Sequence, residues 1–269
     1  MTDPPPAARH QRFDEGRNTW LARLGNLRNL VRQELVARQL RDALAELLPP
    51  GPLTVLDVGC GQGTQSLLLA RAGHDVTGVD TSPEMLAAFV DALAAEEAAV
   101  RERVVLVESD VRSLPADGSF TTYDVVLCHG VLMYLDDPEP ALTALCAATR
   151  DGGLLSLVAR NREAMAMRHG LRRQWARALE AFDATDYVNE LGVAARADSI
   201  DDLTRRMVGC GLAVARWHGV RVLTDTVPLE EPLPPPDELA LLLDAEERAG
   251  RTDPYRRVAP LVHLLATRP

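Results

Sequence analysis

The stretch LTVLDVGCGQG, Leu53 to Gly63, is a short apolar run that ends in alternating glycines. It reads as a strand opening through a tight turn into a helix, which the spacing predicts over Thr64 to Ala72. Glycines at alternate positions let the backbone turn sharply and approach a ligand closely at the amino end of that helix. Downstream the rhythm repeats. Asp75 to Val79 reads as a second strand ending at Asp80, and Ser82-Pro83-Glu84 as a helix start with a capping residue and a first-turn proline. Val104 to Val107 makes a third strand ending near Asp110, and Tyr123 to Cys128 a fourth. Asp137-Pro138 opens another helix, Gly152-Gly153 turns it, and Leu154 to Ala159 is a fifth strand. Strands that alternate with helices in this way pair in parallel, with helices on both faces.

On either side the pattern changes. Before the glycine turn, apolar residues from Trp20 to Leu47 recur at helical spacing, with a break near Gly25, and Pro49-Pro50-Gly51-Pro52 stops them. Residues 1–48 are expected to form a helical lid and 49–159 the ligand-binding α/β core. Residues 160–198 are expected to be a helical, arginine-rich insert on the acceptor side. A helix at about 199–210, a long strand from Leu212 to Leu223, a helical excursion at about 227–257 and a closing strand at about 258–267 complete the core. The expected fold is α/β: a doubly wound, Rossmann-like, mostly parallel seven-stranded sheet with an antiparallel edge.

The 269 residues carry a net charge of −10, which disfavours nucleic acid and anionic membrane except at a local basic patch. All 29 basic residues are arginine, so Schiff-base lysine chemistry and a P-loop of the GxxxxGK[ST] type are excluded. Cys60, Cys128, Cys146 and Cys210 form no CxxC pair, so neither a metal site nor a disulfide framework is expected. MTDPPPAARH has no apolar core of a signal peptide, and no apolar run is long enough to span a membrane. A cytoplasmic protein is the expectation, with monomer and homodimer both open.

The acids decide the ligand. Asp57 stands beside the glycine turn, where a carboxylate would repel a dinucleotide's pyrophosphate. S-adenosylmethionine has no phosphate and carries an ammonium and a sulfonium, both of which an acid suits. Asp80, 21 residues after Gly59, is spaced to accept hydrogen bonds from ribose hydroxyls, and Ser109 or Asp110 to meet the adenine amino group. The candidate cofactor set is Asp57, Gly59, Cys60, Gly61, Gly63, Asp80, Thr81, Met85, Ser109, Asp110 and Val111, joined by Arg28 and His129 below.

With D-x-G-x-G-x-G matched at Asp57, Gly59, Gly61 and Gly63, the chain resembles the class I S-adenosylmethionine-dependent methyltransferases. GNLR (Gly25 to Arg28), HGVLMYL (His129 to Leu135), ARN (Ala159 to Asn161), GVRV (Gly219 to Val222) and DPYR (Asp253 to Arg256) resemble the tRNA 5-carboxymethoxyuridine methyltransferase family. The resemblance implies that Arg28 reaches the cofactor carboxylate and that His129 contacts the cofactor. One stretch departs from it: 183–198 reads DATDYVNELGVAARAD and is acidic, where the family is lysine-rich.

Methyl transfer from a sulfonium needs alignment and exclusion of water, and no metal. The candidate catalytic residues are His129, as base or contact, and Arg221, to hold an anionic acceptor. Tyr134, Arg160, Asn161, Arg221 and Arg256 are the candidate acceptor residues. Arg160, Arg162, Arg168, Arg172 and Arg173 form either an anion-binding wall or a solvated helix face. Trp175, Phe182 and Tyr187 are candidates for ring stacking or for core packing. The expected acceptor is a carboxylate-bearing group such as a modified wobble uridine of tRNA, with a small molecule methylated at oxygen or nitrogen as the alternative. A protein that binds the cofactor without turnover is the non-enzymatic alternative.

Overall fold

The computed structural model describes residues 25–113, 122–189 and 191–269. Seven strands form one sheet: β1 (Thr54–Val58), β2 (Asp75–Asp80), β3 (Val104–Glu108), β4 (Tyr123–His129), β5 (Thr149–Arg160), β8 (Ala213–Val220) and β9 (Leu261–Thr267). Their order is β3-β2-β1-β4-β5-β9-β8. The first five run parallel, and β9 pairs antiparallel with both β5 and β8. The sheet is thus Rossmann-like and mostly parallel, with an antiparallel edge pair. The strand order reverses at β1, and ligands in such sheets bind outside the carboxyl ends at that switch point.

Alternation along the strands builds two cores. Val55, Val125 and Leu154 face α1 (Leu27–Leu47) and α2 (Thr64–Arg71), meeting Leu40, Ala43 and Leu69. Leu56, Val126 and Leu155 face α5 (Glu139–Ala148) and α8 (Ile200–Gly209), meeting Leu142, Leu145, Leu203 and Met207. Each fully buried aliphatic side chain of this kind contributes about 1.5–3 kcal/mol before the entropy of ordering it. Two shorter helices, α3 (Pro83–Ala94) and α4 (Ala98–Arg101), separate β2 from β3.

Helix α1 starts where the Asn26 side chain accepts a hydrogen bond from the Asn29 N–H. Over these residues the segment expected to be a lid is part of the core. Leu27, Val31, Leu35 and Val36 pack on Val158, Val220, Leu243 and Leu261. The remainder of the expected lid, residues 1–24, lies outside the described residues.

The insert is helical only in its first half, with α6 (Met165–Leu171) and α7 (Trp175–Asp183). A hairpin follows, β6 (Asp186–Val188) with β7 (Ala194–Arg196). Its turn is set by the Asn189 side chain, which accepts from the Leu191 and Val193 N–H groups. Strand β8 also ends sooner than expected, at Val220. Arg221 adopts φ 64, in the left-handed region that no strand tolerates. The chain beyond is held by the buried Glu246 carboxylate of α9 (Pro236–Arg251), which accepts from the Leu223 and Thr224 N–H groups and the Thr224 hydroxyl.

Candidate active site

The carboxyl ends of β1, β2, β4 and β5 open into a cavity of about 640 Å³, within the size range of ligand pockets. Of the residues singled out in the sequence, Arg28, Asp57, Gly59, Cys60, Gly61, Asp80, Thr81, Met85, Ser109, Asp110, Val111, His129, Tyr134, Arg160 and Arg221 line it.

The glycine turn shapes the floor. Gly61 sits at φ 57 and donates its N–H to the Asp80 carboxylate at 2.9 Å; the other Asp80 oxygen accepts from the Ser82 N–H, also at 2.9 Å. Gly63 caps α2 at φ 84, and a Cβ there would lie 2.3 Å from the Phe89 ring. Gly63 therefore seats the turn without facing the cavity. Asp57 is buried and accepts from the Ser66 hydroxyl at 2.6 Å. Burial raises its carboxyl to about 6 against that hydrogen bond, and the Asp80 charge adds to the rise. Asp110 folds onto Arg112, taking its backbone N–H at 2.8 Å and its Nε at 3.0 Å.

Cations from several elements form the opposite wall. Arg28 and Arg32 come from α1, Arg160 from the end of β5, Arg168 from α6, and Arg221 from just past β8. Arg28 donates to the Asp225 carbonyl at 3.0 Å, and Arg32 to the His129 carbonyl at 3.1 Å. Arg168 forks onto the Asp225 carboxylate, its Nε at 2.8 Å, and Arg221 Nη2 reaches the same group at 3.1 Å. Burial works to raise the Asp225 carboxyl, but Arg168 and Arg221 hold it at about 2. Arg221 itself is brought down by burial to about 10, with Asp225 opposing. Its Nε is buried and has no hydrogen-bond partner among the described residues.

Burial, with the Arg32 charge adding, pushes the His129 imidazole down to about 3, so it is neutral near pH 7. Tyr134 receives a hydrogen bond from the Asn189 amide at 3.2 Å. Tyr187 also lines the cavity, and the Arg160 guanidinium lies 5.0 Å from its ring centre.

Two expected acceptor residues are not brought to this cavity. Asn161 is fully buried and braces the chain, its amide donating to the Arg257 and Ala259 carbonyls. Arg256 stacks 4.0 Å from the Trp217 ring and pairs with Asp253. In the basic run, Arg160, Arg168 and Arg172 line the cavity while Arg162 and Arg173 face solvent. Trp175 and Phe182 are neither core nor cavity: both are exposed. Sequence reasoning passed over Arg32, Ser66 and Asp225. Arg32 was findable, one helical turn after Arg28 on the same face. Asp225 was not, because its role depends on the turn at Arg221.

The site is rich in acceptors where a cationic ligand would lie, with Asp57 and Asp80, and has arginines beside it. That donor set fits S-adenosylmethionine, whose ammonium and carboxylate need both. Residues 56–157 match the family model described as "Methyltransferase domain". The matched domain, on this fold and beside this cavity, marks the chain as an S-adenosylmethionine-dependent methyltransferase, with that molecule as its cofactor. The chain is similar to the tRNA 5-carboxymethoxyuridine methyltransferase of Escherichia coli (strain K12), 28% identical over 91% of each chain. It is also similar to a ubiquinone biosynthesis O-methyltransferase of Methylobacterium sp. (strain 4-46), 34% identical over 56% of this chain and 62% of that one. Among solved structures, magnesium protoporphyrin IX methyltransferase from Synechocystis PCC 6803 with bound SAH shares the fold. It aligns at a TM-score of 0.62 with 19% identity, covering 96% of this chain and 94% of that one. No described helix is long and apolar enough to cross a membrane, and no group of His, Cys, Asp and Glu that could hold a metal occurs among the described residues.

Proposed function

We propose that the chain transfers a methyl group to an oxygen of an anionic, carboxylate-bearing acceptor such as a modified wobble uridine of tRNA. The observation that carries this reading is Arg221, a guanidinium fixed in the cavity wall by a left-handed backbone and by Asp225, its Nε without a hydrogen-bond partner among the described residues. A planar cation held in that way suits a carboxylate. The 5-carboxymethoxyuridine in the name of the Escherichia coli relative bears such a group.

In this reading Asp80 holds the ribose, the Gly59–Gly61 turn and Asp57 face the amino-acid end, and Arg28 meets its carboxylate. Thr81, Met85, Ser109, Asp110 and Val111 line the adenine side. The bound cofactor supplies an electrophilic methyl on a sulfonium. Arg221 and Arg160 orient the acceptor anion, and Tyr134 and Tyr187 exclude water beside it. A carboxylate is already ionised and needs no base. His129, neutral and hard to protonate, therefore serves as a contact.

The acid-rich stretch 183–198, with Asp183, Asp186 and Asp198 against Arg196, favours a second reading in which the acceptor is a small carboxylate instead of RNA. The test offers labelled S-adenosylmethionine to bulk tRNA and to a panel of small carboxylic acids, with products read by mass spectrometry. Label on a tRNA nucleoside supports the first reading, and label on small acids alone supports the second. Transfer to neither would end both.

A further inference from the structure

A buried polar chain runs inward from the cavity, and nothing in the reading above uses it. His129 Nε2 lies 2.9 Å from Ser156 Oγ, in the middle of β5. The same hydroxyl lies 2.7 Å from His263 Nε2, on β9. His263 Nδ1 lies 2.8 Å from Gln39 Oε1, on α1. Ser156 and His263 are fully buried, and Gln39 is 1% exposed. Aliphatic side chains would fill these positions without burying polar atoms, whereas this chain leaves Gln39 Nε2 and His129 Nδ1 buried with no hydrogen-bond partner among the described residues, so it specifies something other than stability.

Its hydrogen-bond direction can be worked out from the far end. Burial holds His129 and His263 below their ordinary range, so both rings are neutral and each has one donor and one acceptor nitrogen. An amide oxygen only accepts, so His263 donates from Nδ1 to Gln39. His263 Nε2 is then an acceptor and takes the Ser156 O–H. The Ser156 oxygen in turn accepts from His129 Nε2–H. What remains is the lone pair on His129 Nδ1, a buried atom with no hydrogen-bond partner among the described residues.

We propose that Gln39, His263 and Ser156 are positioning residues that fix His129 as its Nε2–H tautomer, so that Nδ1 accepts a hydrogen bond from an N–H of the bound cofactor. The proposal rests on the reading that the cofactor occupies this cavity. The ammonium is the donor of the right kind on that ligand. The arrangement also couples α1 to the site twice, through Gln39 at the end of the chain and through Arg32 on the His129 carbonyl.

The experiment is nitrogen-15 NMR of the ligand-free, full-length protein with labelled histidines, together with calorimetry of S-adenosylhomocysteine binding. The variants are Gln39→Met and Ser156→Ala; the second removes a single oxygen and guards against misfolding of the first. Wild type should show His129 protonated at Nε2 alone. Both variants should show an averaged tautomer and bind the ligand about five- to tenfold more weakly, the loss expected for one hydrogen bond. A wild-type ring protonated at Nδ1, or a ring pattern unmoved by either substitution, would overturn the proposal. If wild type fails to bind the ligand, the cofactor reading falls by itself, and the ring spectra still judge the tautomer.

Discussion

Arg221 Nη2 lies 3.1 Å from Asp225 Oδ1, four residues further on, and reaches it from a backbone at φ 64. A left-handed conformation costs an ordinary residue about 1–2 kcal/mol, so something must hold it. The Glu246 carboxylate does so from below, by fixing Leu223 and Thr224. The strain and its brace together aim one guanidinium at the cavity.

Arg221→Ala should lower kcat/KM on the true acceptor by about 100-fold, near the 3 kcal/mol that a charge-assisted pair contributes. Arg221→Lys should recover only part of that loss, because a point charge cannot reproduce a planar fork. Steady-state kinetics of both variants at two salt concentrations make the check. Wild type should slow as salt rises, and the Ala variant should respond less.

Asp225 neutralises two cations in a mostly buried site. Its folded carboxyl, at about 2, lies below the ordinary 3.8. Its stabilising contribution is therefore complete above about pH 4 and is lost as pH falls toward 2. Asp225→Asn leaves Arg168 and Arg221 without their carboxylate and should cost about 3 kcal/mol at pH 7. The difference between wild type and variant should shrink between pH 4 and pH 2. Urea unfolding at several pH values reads both effects.

Asp57 titrates in the opposite sense, since burial lifts it to about 6. Below that pH it is neutral and offers a cation little. A cationic ligand favours the ionised form and lowers its pKa, so affinity for S-adenosylmethionine should rise with pH up to about 6 and then level off. Binding near pH 6 should release protons. Asp57→Asn should bind more weakly at pH 7, by roughly 1–2 kcal/mol, and show no rise. Calorimetry in two buffers of different ionisation enthalpy checks both.

Much of this architecture was legible because its signals are local. The run from Leu53 to Gly63 and the acids closing β1 and β2 set the parallel sheet, the turn and most of the cavity floor. The hairpin at Asp186 to Arg196 was missed because it depends on one Asn189 side chain folding back on its own turn. The end of β8 was misjudged because apolar pattern continues through Val222 and Leu223, and only Glu246, far along the chain, turns those residues aside. Asn161 and Arg256 stood as acceptor candidates within the ARN and DPYR stretches. In the folded protein their polar groups are used up on backbone carbonyls, on Trp217 and on Asp253. The buried histidine chain had no sequence signal, since Gln39 and His263 meet across 224 residues.

A methyl group placed on a carboxylate oxygen forms an ester, and the chemical stability of the transferred label reads that bond directly. Acceptor methylated with carbon-14 S-adenosylmethionine would be treated with mild alkali and the volatile label collected. A methyl ester hydrolyses under these conditions, so nearly all the label should leave as methanol, and little label should transfer with Arg221→Ala. Label that stays bound through alkali would contradict it, placing the methyl on nitrogen, carbon or an ether oxygen.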